Sequence, residues 1–171
     1  MKATYAVVAD EGVLKIEEEV LDPSELKPNQ LLIEAETTVV SAGTELAIYT
    51  AIAPGVRTPG SWNAYPWRPG YGLVGRVLAA GSALEDYPLG SRLFCFGKHA
   101  SHQVYQVSPK EPQSAAFLIE EEMPAESAVM LRMALIALSG VQATIFETGD
   151  SVAIFGLGLV GNLAAQLYQH A

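Results

Sequence analysis

The sequence predicts a mostly β fold, a barrel or sandwich of short strands, followed by helices and the opening of an α/β unit. Three observations carry this. Short apolar runs punctuated by Gly and Pro fill residues 3–108, the texture of an all-β domain. A helix-forming apolar stretch follows from Met123. The chain then reads "SVAIFGLGLVG" at 151–161, an apolar strand running into a glycine-rich turn.

Each element follows in order. "ATYAVVA" (3–9) and "VLKIEEEV" (13–20) flank Asp10-Glu11-Gly12, a hairpin connection. Leu14, Ile16 and Val20 fall on even positions of the second run, where Glu18 breaks the alternation. In "LLIEAETTVV" (31–40), Leu31, Ile33 and Ala35 share one face and Glu34 and Glu36 the other. The Pro-, Gly- and aromatic-rich segment 53–70 predicts an ordered loop packed by Trp62, Tyr65 and Trp67. Strands resume at 71–81, 91–97 and 102–108.

Met123-Pro124-Ala125-Glu126 is a helix start, with Pro in the first turn and Glu near the positive dipole end. Residues 125–138 predict a buried helix broken at Ser139-Gly140, with a second short helix towards Phe146. Thr148-Gly149-Asp150 predicts a turn into a buried strand over 151–155. The expected organisation is 1–122 as a catalytic domain, 123–148 as connecting helices, and 149–171 as the start of a dinucleotide-binding domain.

Of the 171 residues, 50% are hydrophobic and 17% charged, and the formal net charge is −9. That charge disfavours nucleic acid and anionic lipid as partners. The one cysteine, Cys95, excludes an internal disulfide. The N-terminus has no signal-peptide pattern, and the apolar run Val129–Leu138 is short for a bilayer and contains Arg132. A cytoplasmic location is expected.

Gly156, Gly158 and Gly161 make G-x-G-x-x-G between a predicted strand and a predicted helix. Gly156 permits the turn, Gly158 admits a pyrophosphate, and Gly161 lets the helix approach the sheet. Helix N-terminal N–H groups then face the phosphates, so Leu157, Leu159 and Val160 complete the expected cofactor loop. The acidic or basic residue that selects NAD or NADP belongs about 20 positions further on, past Ala171. A single βα unit cannot form a parallel sheet, so the chain is expected to be part of a longer polypeptide with little dinucleotide affinity by itself.

Four motifs then stand in order: "SAGTE" (41–45), "PGYGLVGRV" (69–77), "GSRLFCFG" (90–97) and "GDSVAIFGLGLVG" (149–161). Together the chain resembles the medium-chain dehydrogenase/reductases, relatives of zinc-type alcohol dehydrogenase. The resemblance implies a GroES-like β-barrel, connecting helices and the first βα unit of a Rossmann domain. It implies an NAD(P)-dependent oxidoreductase acting on a small-molecule carbonyl, alcohol or activated alkene, held between the two domains. A homodimer of the whole protein fits the same pattern.

The departures are specific. Where zinc-dependent relatives have Cys and His ligands, this chain has Ala42 and Tyr71, and the third ligand position falls near Leu131 or Arg132. The cysteines of a structural zinc site are absent, so a zinc-free member is expected. Candidate proton donors are Thr44, Tyr71, His99 and His102. Thr44 keeps the hydroxyl of the family's proton relay, although it or Ser41 could equally cap the helix at "ELAIYTAI". Tyr71 is either a packed aromatic or a phenol that orients a carbonyl. The histidines either line the active-site cleft or sit on the surface without a role. Cys95, His99 and His102 could alternatively bind a metal, although a three-residue step along a strand alternates faces. Loss of redox function, leaving a structural or binding protein, is the alternative reading.

Overall fold

The structure, a computed structural model, describes residues 1–108, 110–147 and 149–170. Contacts divide the chain into a first unit, Met1–Val129, and a second from Met130 onward.

In the first unit, β1 (Lys2–Asp10) and β2 (Val13–Val20) pair antiparallel from Lys2↔Val20 to Asp10↔Val13, with a bulge after Val8. Gly12 turns the hairpin at φ +67°, a conformation free of cost only for glycine. β1 buries Ala3, Tyr5, Val7 and Val8, whereas every residue of β2 is exposed. The Leu14, Ile16 and Val20 face therefore forms as a face but meets no other element's core.

β3 (Gln30–Thr38), β4 (Leu73–Ala80), β5 (Arg92–Cys95), β6 (His102–Gln106) and β7 (Ala116–Leu118) form one antiparallel sheet in the order β6-β3-β4-β5-β7. Leu31 and Ile33 point into a core with Leu73, Val77, Leu93 and Cys95. Leu32 points the other way, into a second core with Ala3, Tyr5, Val7 and Leu21. The start of β3 is thus covered on both faces, which the expected one-sided alternation misses.

No ladder among the described residues closes this sheet into a barrel. The hairpin joins it through isolated bridges, Tyr5↔Ala100 and Val8↔Trp67. Pro66 and Pro69 lack the N–H that a longer ladder through 66–69 needs. Loop 53–70 is ordered as expected: Trp67 is buried with Val8, Ile48 and Val56, although Trp62 stays 72% exposed. Buried Arg92 fastens the end of the unit. Its guanidinium donates to the Glu36 carboxylate and to the carbonyls of Glu120, Glu121 and Met123.

Between β3 and β4 lies α1 (Ala42–Tyr49), and after β7 comes α2 (Ala125–Ala128). In the second unit, α3 (Leu131–Ala143) packs with α4 (Leu159–Tyr168). The helical interruption falls at Val129–Met130, correcting the expected break at Ser139-Gly140. Ser139 Oγ donates to the Leu135 carbonyl at 2.8 Å while the helix continues, and Gly140 costs only about 1 kcal/mol there. The helix is also not buried throughout. Met133, Ala137 and Val141 are buried at four-residue spacing, while Leu131, Leu135 and Ile136 are exposed. By length and composition alone, Ala125–Ala143 would suffice to cross a membrane.

Thr148 of the expected turn lies outside the described residues; beside it, Glu147 and Asp150 bond each other and Gly149 takes φ +97°. Residues 151–155 do not form the expected buried strand. They carry no ladder, Val152 is 43% exposed, and Phe155 is 98% exposed. A strand needs a neighbour for its N–H and C=O groups, and the described residues supply none.

Candidate functional site

Three backbone segments of the first unit converge on the motif Pro69-Gly70-Tyr71-Gly72. The end of β3 runs beside it, with Val39 N–H donating to the Gly72 carbonyl at 3.0 Å. The segment after β5 crosses it, with His99 N–H donating to the Pro69 carbonyl at 2.9 Å. Gly70 makes the crossing possible: a Cβ there would stand 2.4 Å from His99 N, and its φ is +98°. Then α1 begins at Ala42.

That convergence assembles a hydroxyl, an imidazole and a carboxylate. His99 Nδ1 lies 2.7 Å from Thr38 Oγ1, and His99 Nε2 lies 2.9 Å from Glu45 Oε2. Glu45 Oε1 also accepts the Ser41 N–H at 3.0 Å. The His99 and Glu45 side chains are only 14% and 12% exposed. A carboxylate only accepts, so Nε2 carries a proton towards Glu45, and in the neutral ring Nδ1 then accepts from the Thr38 hydroxyl. Glu45 thereby holds the ring, and the Thr38 hydroxyl sits on its basic nitrogen. This is the geometry of a proton relay. Burial lowers the pKa of the neighbouring Lys98 ammonium, and the Glu45 charge pulls it back up.

Beside the relay lies a groove of about 450 Å³, walled by apolar side chains of β1, β2 and α1 and by Val40 and Pro69, together with Glu45 and His99.

The sequence-predicted residues are distributed unevenly around this centre. His99 is in it. Thr44 is exposed on the first turn of α1, one residue from Glu45. Ser41 takes the helix N-cap position, yet its side chain makes no capping bond; Glu45 caps its N–H instead. Tyr71 is half-buried within the crossing motif. His102 is elsewhere, on β6, with Nδ1 3.1 Å from Ser101 Oγ and Nε2 3.7 Å from Glu34 Oε1. Cys95 is sealed in the core, and burial pushes its thiol up to about 12. Cys95, His99 and His102 therefore keep three separate environments, and among the described residues no three His, Cys, Asp or Glu side chains group to hold a metal ion.

At the zinc-ligand positions implied by the resemblance, the donor set does not fit the metal. Ala42 offers a methyl group and Tyr71 a phenol, while Leu131 and Arg132 open α3 with no neutral nitrogen, thiolate or carboxylate.

The glycine turn of the second unit fits an anionic group. Gly156 has φ +92°, and Gly158 occupies the N-cap of α4 with nothing within 4 Å of where a Cβ would stand. A Cβ on Gly161 would lie 1.9 Å from the Gly156 carbonyl oxygen, so this glycine admits the turn itself rather than the expected approach of a helix to a sheet. Leu157, Leu159 and Val160 are exposed around it. The α4 N–H groups, free of intrahelical partners, can receive a pyrophosphate.

Sequence reasoning missed Glu45 and Thr38 as partners of His99. They stand 54 and 61 residues away along the chain, and no local spacing marks such a contact.

No protein-family model matches the chain. D-guloside 3-dehydrogenase of Shigella flexneri is 26% identical over 165 residues, covering 84% of this chain and 45% of that protein. The crystal structure of 2R,3R-butanediol dehydrogenase from Bacillus subtilis superposes with a TM-score of 0.79 at 18% identity, over 99% of this chain and 55% of the other. An alcohol dehydrogenase from Escherichia coli CFT073, solved with NADH, gives 0.78 at 17% identity, over 98% and 53%. The chain thus spans about half the length of the relatives it matches. It is similar to these dehydrogenases and shares the fold of the part of the solved structures that it covers.

Proposed function

We propose that this chain, from its relation to the medium-chain dehydrogenases, is the substrate-side portion of an NAD(P)-dependent oxidoreductase that works without catalytic zinc. The nicotinamide supplies or accepts a hydride when bound. Gly156, Gly158 and Gly161, with the N-terminus of α4, would hold its pyrophosphate. The substrate is a small carbonyl compound, alcohol or activated alkene. Hydrogen-bond donors polarise its oxygen, with Thr44 and Tyr71 as the candidates nearest the metal-ligand positions. Thr38, His99 and Glu45 pass or hold the proton.

The observation that carries this reading is the Thr38–His99–Glu45 chain beside Ala42 and Tyr71: acid–base equipment stands close to positions that offer no metal ligands. One observation favours the non-catalytic alternative, a binding protein that keeps the fold. Both ring nitrogens of His99 are already engaged by the protein itself, as in a purely structural network. A cytoplasmic location and a homodimer of the whole protein remain part of the proposal, without nucleic-acid or membrane partners.

The test joins this chain to a complete dinucleotide domain and titrates it with NADH and NADPH by nicotinamide fluorescence, with elemental analysis alongside. Saturable binding and ketone reduction with negligible zinc are expected. Stoichiometric zinc needed for turnover overturns the metal-free mechanism, and failure to bind either nicotinamide favours the binding protein.

A further inference from the structure

The groove beside α1 restricts what it can hold. At about 450 Å³ it is near the lower end of small-ligand pockets. Its apolar wall is Ala6, Val8, Leu14, Val40, Leu46 and the ring of Tyr49. Leu14, Val40 and Leu46 are 57%, 60% and 59% exposed, so three branched apolar side chains converge on water around one hollow. Such a concentration marks a binding surface more often than scattered exposure does.

Each polar group on the wall already holds a protein partner, which leaves only spare lone pairs on the Glu45 and Tyr49 oxygens. Tyr49 donates its hydroxyl to the Gly12 carbonyl at 2.7 Å. His99 uses one nitrogen on Thr38 and the other on Glu45. Each Glu45 oxygen already accepts a bond, one from Ser41 and one from His99. A guest with several hydroxyls would lose water bonds and find few replacements. The Glu45 carboxylate also disfavours an anion.

We infer that the groove binds the apolar body of a small uncharged molecule, a cycloalkyl, branched-alkyl or aryl carbonyl compound or alcohol, and rejects polyols. The inference rests on the proposed function only for the reacting group; the selection for an apolar body follows from the wall. Each methylene added within the groove raises affinity roughly fourfold. Each hydroxyl buried there without a partner lowers it roughly tenfold or more.

The test needs no cofactor and uses the 171-residue chain. Methyl-labelled protein is titrated, by NMR, with cyclohexanone, 4-methylcyclohexanone and 4-ethylcyclohexanone, and separately with sorbitol. Expected are saturable shifts of the Ala6, Val8, Leu14, Val40 and Leu46 methyls, tightening along the ketone series, with sorbitol silent. Leu46→Asp and Val40→Asp, both at exposed positions, should each weaken the ketones at least tenfold while preserving methyl dispersion elsewhere. Sorbitol binding as well as the ketones, ketone shifts outside the groove, or no ketone binding would each overturn the inference. So would groove shifts that follow protein concentration alone, since a second copy of the chain would then be the occupant. Ketones that bind here but are not reduced by NADH or NADPH once the chain is joined to a complete dinucleotide domain would sink the oxidoreductase reading and leave the groove's selectivity intact.

Discussion

Residues 73–77, "LVGRV", and 152–155, "VAIF", are comparable apolar runs, and both are read from sequence as strands. The first becomes the middle of a sheet: β4 pairs with β3 on one side and β5 on the other, and Leu73, Val74 and Val77 are at most 1% exposed. The second stays unpaired, with Phe155 98% exposed. Composition does not separate them. The difference is neighbours, because a strand's backbone groups are satisfied only across a ladder. The first unit finishes its own pairing, whereas the glycine turn of the second stands on a segment with nothing to pair with among the described residues.

Hydrogen exchange puts that contrast to its strongest test. Amides of Val74 and Val77 should exchange at least about a thousandfold more slowly than those of Val152–Phe155, because the former open only with the unit and the latter need no opening. Equal protection in the two runs would mean that 151–155 is paired after all.

Two glycine substitutions sharpen it. A Cβ on Gly75 would stand 2.3 Å from the Glu34 carbonyl oxygen, and one on Gly161 would stand 1.9 Å from that of Gly156. The clashes are similar in size, but their surroundings differ. Gly75→Ala must displace two paired strands and should cost about 3 kcal/mol. Gly161→Ala meets a turn that no ladder fixes, so the first unit should lose no more than about 0.5 kcal/mol. Both tryptophans, Trp62 and Trp67, lie in the first unit, so the tryptophan-detected melt reads that unit alone. A drop of equal size in both variants would contradict the division.

What the sequence reveals follows the same line. The first six strands are legible within a few residues, because alternation and Gly/Pro punctuation are local signals. β7 is not, since its three residues "AFL" are a strand only by pairing with Leu93–Cys95. The glycine turn is legible, since φ +92° at Gly156 and the close approach at Gly161 demand glycine. Its supporting strand is not, because strand formation depends on a partner. At the candidate site, His99 stands out by residue type alone. Thr44 stands out by motif, yet the structure joins its neighbour Glu45 to His99.

That last substitution of neighbours is itself testable. Glu45→Ala leaves the Ser41 N–H and the His99 Nε2–H without an acceptor in a place only 12% exposed, and should cost about 2 kcal/mol. Thr44→Ala, on the exposed first turn, should stay within about 0.5 kcal/mol. Thermal melts of the two variants decide it. If Thr44→Ala proved the more costly, the hydroxyl named by the motif would be the structural partner, and the relay geometry would be wrong.

The smallest effect expected concerns alkali, and it too should distinguish the units. Cys95 is buried in the first unit's core, where its thiol is pushed from 9.0 to about 12. Between those values the native thiol keeps its proton while the unfolded one releases it, so the unfolded state binds fewer protons and stability falls as pH rises. At pH 10 the loss from this one group is about 1.4 kcal/mol. Burial raises the phenols of Tyr5, Tyr87 and Tyr105 in the same direction, and these add to the slope at higher pH. Lys98, lowered by burial, opposes it, because the unfolded amine holds its proton more tightly. Cys95→Ala should therefore flatten the tryptophan-detected decline just above pH 9 without abolishing it. A decline unchanged by Cys95→Ala would mean that the thiol is reachable by water, and that the core beneath β3, β4 and β5 opens more readily than the strands closing it imply.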